Sequence, residues 1–326
     1  MHSVEQSSII QNMKRIIFFI ILIVIILMVN FPGFSFAQKN PKIGLALGAG
    51  GAKGFAHIGV LKVLEREGIE IDCISGTSVG SLVGALYALG FSIGDIEEFA
   101  LNEDFKKYLS FKNITIELEQ YQNENILGLS INLPKLVANP GWPKGLISTT
   151  GIRDAFDRIT NWAHFEYDLK IPYKAVATDL ITGDKIVLGS GKVSNAVAAS
   201  ISIPGIFTPF EFEDKILVDG GLKDPVPVDV VRQMGADIII AVNLRGILKE
   251  KRDSTNIISI ADRCIDIMIE DLTELSLIGA DIIIKPNYEG EVSFFMDKES
   301  RSAIIKQGEV EAENKIDELK EMLANY

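Results

Sequence analysis

The sequence predicts an α/β protein, a three-layer α/β/α sandwich around a mainly parallel central sheet. Three observations predict it. Continuous apolar runs such as KIGLALG (42–48) and ADIIIAVNL (236–244) have the character of strands buried on both faces. Stretches with helical spacing separate them, and that alternation implies parallel strands with helices covering both sides. The 326 residues show no internal repeat or low-complexity tract and are enough for one large core.

In chain order, Lys14 and Arg15 precede the apolar block IIFFIILIVIILMV (16–29), and a small-x-small ending follows at Ser35, Phe36 and Ala37. Residues 1–37 therefore read as a signal peptide. The alternative is an N-terminal membrane anchor, if the segment from Phe31 to Ala37 lengthens the span. Either reading makes 38–326 the folded domain, secreted or anchored facing outward from the cytoplasmic membrane. A first strand (42–48) leads to a helix over 54–68, with apolar positions at Phe55, Ile58, Leu61 and Leu64. A second strand (69–75) precedes a helix over 79–90. Strands at 173–179, 236–244 and 280–286 follow, with a long helix from about Ile257 and a last, charged one from Lys298 to Leu323. Residues 105–149 lack helical period and carry proline, polar and aromatic residues. They read as a lid or insert, or as two short strands near 113–119 and 126–132. Leu127, Leu129, Leu133, Leu136 and Trp142 there would line an acyl pocket or form a satellite core.

The net charge of −12 excludes nucleic acid as a partner and docking on anionic lipid by charge, so a membrane contact would be apolar. Cys73 and Cys264 are too few for a disulfide scaffold. No Cys, His and carboxylate cluster has metal-ligand spacing, so neither metal nor cofactor is expected.

Gly76-Thr77-Ser78-Val79-Gly80 is a G-x-S-x-G pattern between a strand and a helix, the context of a nucleophile elbow. Gly76 and Gly80 remove side chains that would collide in the sharp turn. Ser78 then stands at a helix N-terminus, where orphan N–H groups favour developing negative charge. Upstream, LGAGGAKGFAHIG (47–59) fails as a Walker loop because Gly54 follows Lys53. A dinucleotide fingerprint lacks its required glycines, although Glu70 and Asp72 sit near the ribose-acid position. The third reading is an oxyanion hole, with the N–H groups of Gly50 and Gly51 aimed at one point and Lys53 adding a charge.

A base for Ser78 is harder to find. The chain has three histidines: His2, His57 and His164. None follows residue 164, which opposes a Ser-Asp-His order. A carboxylate acting directly remains. KILVDGGLKDPVPVDVV (215–231) runs a strand into Asp219, and an acid at a strand's C-terminal end points to the ligand-binding edge of such sheets. Burial would raise its pKa toward a useful base. Asp179, Asp224 and Asp229 are rivals.

GLALGAGGAKGFAHIGVLKVLE, GTSVGSLVGALYALG, ASISIPGIFTPFEF and LVDGGLKDPVPVDVVRQMGAD, taken in order, resemble bacterial patatin-like phospholipases over about Lys42 to Asn243. The resemblance implies a patatin-like fold and a Ser-Asp dyad without histidine: Ser78 as nucleophile, Asp219 as base, Gly50 and Gly51 as oxyanion donors, and Lys53 at the basic position. Ala49 replaces a glycine common in the family's loop. The implied activity is a lipid acyl-ester hydrolase of phospholipase A, lysophospholipase or esterase type. A non-catalytic lipid- or protein-binding module on the same fold, or an acyltransferase, is the alternative.

Overall fold

In chain order the strands are Ile43–Leu47 (β1), Cys73–Thr77 (β2), Asn125–Ile126 (β3), Leu129–Ser130 (β4), Tyr173–Asp179 (β5), Lys185–Leu188 (β6), Phe210–Phe212 (β7), Lys215–Asp219 (β8), Ile238–Val242 (β9) and Ile282–Ile284 (β10). They are seen in a computed structural model, which describes residues 17, 19–20, 40–103, 125–126, 129–130, 147–245, 257–290, 292–293 and 296–326. The compact unit spans Pro41–Asn325. Of the expected signal or anchor segment (1–37), only Ile17, Phe19 and Ile20 are described. They are helical and exposed. Among the described residues no helix is long and apolar enough to cross a membrane.

β10, β9, β1, β2 and β5 lie side by side, all parallel. Every residue of β1, β2 and β9 is buried, and in β1 and β9 that burial is written as an apolar run. The two faces differ in size. Ile43, Leu45 and Leu47 of β1 join Ile238, Ile240 and Val242 of β9 in a large cluster with Ile58, Leu61, Leu64, Ile304 and Ile305 from the helices Phe55–Arg66 and Lys298–Ala324. The opposite face presents Ala46, Ile239 and Ala241 to Val228 and Val231 of the short helix Val228–Gln233. Gly44 lets that helix sit close, since a Cβ there would lie 2.1 Å from Val231 Cγ1.

The other end of the sheet is antiparallel. β6 and β8 both pair with β5, and β7 pairs with β8. The sheet is therefore mixed, a parallel body with an antiparallel arm. The expected strand at 69–75 runs instead from Cys73 to Thr77. Asp72 ends the approach to it, because its carboxylate accepts the Ile43 N–H at 2.7 Å while its own N–H goes to the Ile43 carbonyl. Gly76 and Thr77 complete the strand without an apolar signal. Within 105–149, β3 and β4 form a small antiparallel pair, and the expected strand at 113–119 and Trp142 lie outside the described residues. Cys73 and Cys264 are both free, one buried and one exposed.

Two glycines set the main helix crossing. A Cβ on Gly59 would lie 2.0 Å from the Ile305 carbonyl oxygen, and one on Gly308 2.0 Å from that of Ala56. Glycine in a helix interior ordinarily loses about 0.5–1 kcal/mol to alanine. Here overpacking of about 1–3 kcal/mol should reverse the sign. Gly59→Ala is expected to lower the urea midpoint, whereas Gly94→Ala, on an exposed helix position where a Cβ would lie 3.8 Å from Ser92 Oγ, should raise it. A stabilised Gly59→Ala would refute the close crossing.

Candidate active site

β2 ends at Thr77, and the chain turns through Ser78 into the helix Val79–Ala88. Ser78 adopts φ 55° and ψ −127°, a conformation that costs a non-glycine residue about 1–3 kcal/mol. The flanking glycines are spacers. A Cβ on Gly76 would lie 2.4 Å from the Gly80 carbonyl oxygen, and one on Gly80 2.2 Å from that of Leu47. Hydrogen bonds hold the strained residue on both sides. Its carbonyl accepts the Ser81 hydroxyl at 2.7 Å, and its N–H goes to the Ser200 hydroxyl at 2.9 Å. The Ser200 hydroxyl in turn donates to the Val176 carbonyl at 2.6 Å.

The register explains what Ser78 meets. β6 covers one edge of β5 continuously from Ala175 to Thr178. The other edge is shared: β2 occupies it up to the pair Thr77–Val176, and β8 takes over at the next residue, with Asp219 opposite Ala177. β2 is parallel to β5 and β8 antiparallel, so the two strands meet head to head by their C-terminal ends. Ser78 Oγ donates to Asp219 Oδ2 at 2.5 Å. Asp219 therefore reaches Ser78 by a different route from the expected one. It is not at the carboxyl edge of a parallel strand but at the end of an antiparallel strand descending onto β2. Gly220 permits the junction, since a Cβ there would lie 2.2 Å from the Val176 carbonyl oxygen.

Both side chains are buried. Asp219 Oδ1 accepts the Gly221 N–H at 2.7 Å, and the Thr178 hydroxyl donates to the Asp219 carbonyl at 3.0 Å. Burial pushes the Asp219 carboxyl up to about 6, against the opposing pull of the Ser78 and Gly221 hydrogen bonds and the Arg245 charge. The rival acids are committed elsewhere. Asp179 accepts the Ile181 N–H in the turn after β5. Asp224 and Asp229 flank Lys185 at 3.1 and 2.5 Å, and burial pushes Asp224 up to about 6.

The glycine cluster follows β1 directly. Gly48 and Ala49 spend their N–H groups on the carbonyls of Val242 and Pro225. Gly50 precedes the 3-10 turn Gly51–Gly54, with Gly51 at φ 55° and Lys53 half-buried within it. This turn touches the elbow helix, because a Cβ on Gly54 would lie 2.0 Å from Val79 Cγ2. It also approaches the segment after Asp219, where Ala49 Cβ would lie 3.3 Å from a Cβ on Gly221. Gly50 packs under Leu244, beyond β9. His57 anchors the loop from behind, its Nε2–H donating to the Gly48 carbonyl at 2.8 Å. Burial pushes that imidazole down to about 4. His164 is half-buried, 3.9 Å from Glu166, and His2 lies outside the described residues. Among the described residues, no group of His, Cys, Asp and Glu is arranged to hold a metal ion.

Sequence reasoning did not single out Ser200 or Arg245. Ser200 lies in an alanine-rich helix, Val193–Ser200, where a serine carries no signal of its own. Arg245 follows β9, far from Asp219 along the chain.

The raised Asp219 pKa has a consequence for stability. Ionising the carboxyl is harder in the fold than in the unfolded chain. The penalty is absent below about pH 3.8, grows up to about pH 6 and is complete above it, at roughly 3 kcal/mol. Asp219→Asn removes the charge, so urea unfolding should show the variant gaining on the wild type by up to ~3 kcal/mol between pH 4 and 7.5. A difference independent of pH would contradict the buried carboxylate.

A family model described as patatin-like phospholipase matches residues 45–232. An uncharacterised NTE family protein of Mycobacterium tuberculosis is 36% identical over 209 residues, 64% of this chain and 51% of its own length. Patatin-like phospholipase domain-containing protein 7 of Rattus norvegicus is 31% identical over 217 residues, 66% of this chain and 14% of its own. Lysophospholipase NTE1 of Scheffersomyces stipitis is 31% identical over 205 residues, 63% and 12% respectively. The chain thus spans about half the length of the mycobacterial relative and a smaller part of the others. VipD from Legionella pneumophila has a similar fold, with a TM-score of 0.50 at 15% identity over 86% of this chain and 67% of that one. The matched region covers more than half of the sequence and contains Ser78, Asp219 and the glycine turn, and the chain belongs to the patatin-like phospholipase family.

Proposed function

We propose that this protein is a serine acyl-ester hydrolase of lipids, of phospholipase A or lysophospholipase type, in which Ser78 is the nucleophile and Asp219 the base. One observation carries the reading: a buried serine in a strained elbow donates directly to a buried carboxylate at 2.5 Å. The relatives named lysophospholipase and patatin-like phospholipase support the substrate class.

The mechanism follows from this geometry. Ser78 Oγ attacks the ester carbonyl carbon as its proton passes to Asp219 Oδ2, which an acid raised to about 6 accepts better than an ordinary aspartate. The tetrahedral oxyanion takes hydrogen bonds from the Gly50 and Gly51 N–H groups, each worth about 3 kcal/mol, with Lys53 adding positive charge. Collapse breaks the ester C–O bond, and Asp219 returns its proton to the departing alcohol oxygen. Water then repeats the sequence on the acyl-enzyme, losing its proton to Asp219 and releasing the fatty acid as Ser78 is reprotonated.

The contact with lipid is apolar in this reading, since a net charge of −12 opposes an anionic surface. The helix Ile257–Ser276 supplies a surface for it, exposing Ile260, Ile267, Met268 and Leu275. The basic and apolar stretch at 14–29 supports an outward-facing location.

An alkyl phosphonate should label Ser78 in the wild type and leave Ser78→Ala unlabelled in mass spectrometry. Ser78→Ala should lower kcat on a nitrophenyl ester by at least a thousandfold; equal activity in the two proteins would end this reading. The acid limb of kcat/KM should fall near pH 6, where Asp219 becomes protonated and can no longer act as base, and a limb near pH 4 would contradict the assignment. Met268→Asp is expected to lower the ratio of vesicle lipid hydrolysis to monomeric ester hydrolysis severalfold. An unchanged ratio would place the lipid contact elsewhere.

A further inference from the structure

Beyond β9 the chain is held firmly. Asn243 is buried, its N–H goes to the Ile284 carbonyl at 2.9 Å, and its Oδ1 accepts the Arg245 N–H at 2.9 Å. Leu244 lies over Gly50, where a Cβ would come within 2.5 Å of Leu244 Cβ. Arg245 therefore emerges beside the glycine turn assigned to the oxyanion. Its charge also acts on Asp219, the other half of the site. One guanidinium nitrogen, Nη1, reaches Asp266 Oδ1 at 3.3 Å, which fixes the side chain against the helix Ile257–Ser276. The Nε–H is buried and, among the described residues, has no acceptor.

A buried donor without an acceptor is expensive to maintain, and such a group calls for a partner beyond the described residues. The partner of a guanidinium edge is an oxyanion with two coplanar or tetrahedral oxygens, a carboxylate or a phosphate. In a phospholipid or lysophospholipid, the phosphodiester lies only a few bonds from the acyl ester. An ester held between Ser78 and the glycine turn brings its phosphate to the margin of the site, and Arg245 stands at that margin. In a chain of net charge −12, a fixed cation here also offsets the repulsion an anionic head would otherwise meet.

We infer that Arg245 is a specificity-determining residue whose guanidinium binds the substrate phosphate, so that the site prefers phosphate-bearing acyl esters to neutral acylglycerols. This rests on the proposed hydrolase reading and deepens it by naming the group recognised next to the ester.

The test compares two substrates with the same acyl chain, 1-palmitoyl-lysophosphatidylcholine and 1-palmitoylglycerol, presented in the same detergent micelles. The quantity read is the ratio of their kcat/KM values, which does not depend on the fraction of folded enzyme. Arg245→Gln should lower the ratio about tenfold, and Arg245→Lys, which keeps the charge without the fork, should fall between. A fall of less than threefold in Arg245→Gln overturns the inference. Proportional loss on both substrates is such a result and would mean that Arg245 acts only through Asp219. A wild type that hydrolyses the acylglycerol alone overturns it as well. Failure of the hydrolase reading is separate, because it appears as Ser78→Ala retaining activity on both lipids.

Discussion

The site depends on a junction in the sheet at which β2 and β8 share one edge of β5 and meet by their ends. A junction of this kind interrupts the ladder and leaves backbone polar groups facing a gap, which is costly unless something fills it. Ser200 fills it. One hydroxyl takes the Ser78 N–H and gives its own proton to the Val176 carbonyl, so that the end of β2 and the edge of β5 beside it are satisfied by a single side chain. Thr178 performs a similar service for the Asp219 carbonyl. Once the backbone is satisfied, the two side chains at the tips have little choice of partner. Ser78 and Asp219 are both buried and pressed together, and the same burial that raises the acid's pKa strengthens the hydrogen bond between them.

The glycines around the junction act chiefly through their size. At Gly76, Gly80 and Gly220 the nearest atoms to an added Cβ are backbone carbonyls or backbone carbons, which cannot swing aside as a side chain could. Ala49 shows the converse. It stands where relatives in the resemblance carry glycine, yet it is not among the positive-φ residues, its N–H is paired with the Pro225 carbonyl, and its side chain is buried facing Gly221, which has no Cβ. The substitution is tolerated because that position needs neither a left-handed backbone nor a bare Cα. The neighbouring Gly51, at φ 55°, does need one.

What the sequence made legible follows the range of the interaction involved. The parallel strands were readable because burial on both faces writes itself as an uninterrupted apolar run, as in IIIAV of β9. The elbow was readable because its constraints act within five residues. The end of β2 was not, since Gly76 and Thr77 carry no apolar signal and belong to the strand only through pairing with Ala175 and Val176. Asp219 was identifiable as a residue, but the reason for its position was not. The antiparallel course of β8 is decided by β5 and β7, and no local pattern reports it. Ser200 and Arg245 escaped for the same reason: the side-chain partners of Ser200 lie 24 and 122 residues away and Asp266 lies 21 residues from Arg245, and each looks ordinary among its neighbours.

Histidine marks the limit of what this architecture allows. His57 is the imidazole nearest the glycine cluster in sequence, yet the acceptor it faces is a carbonyl, so Nε2 must carry the proton and Nδ1 is bare. With its pKa driven down to about 4, the ring stays neutral at ordinary pH and holds the loop as a fixed donor. Recruiting it to Ser78 would release Gly48 and loosen the turn that carries Gly50 and Gly51. His164 lies half-buried beside Glu166 and offers no alternative. With the buried imidazole spent on the loop, the proposed mechanism takes its proton acceptor from the strand end in contact with the serine. In that mechanism the carboxylate is suited to the work because burial at the junction raises its pKa to about 6.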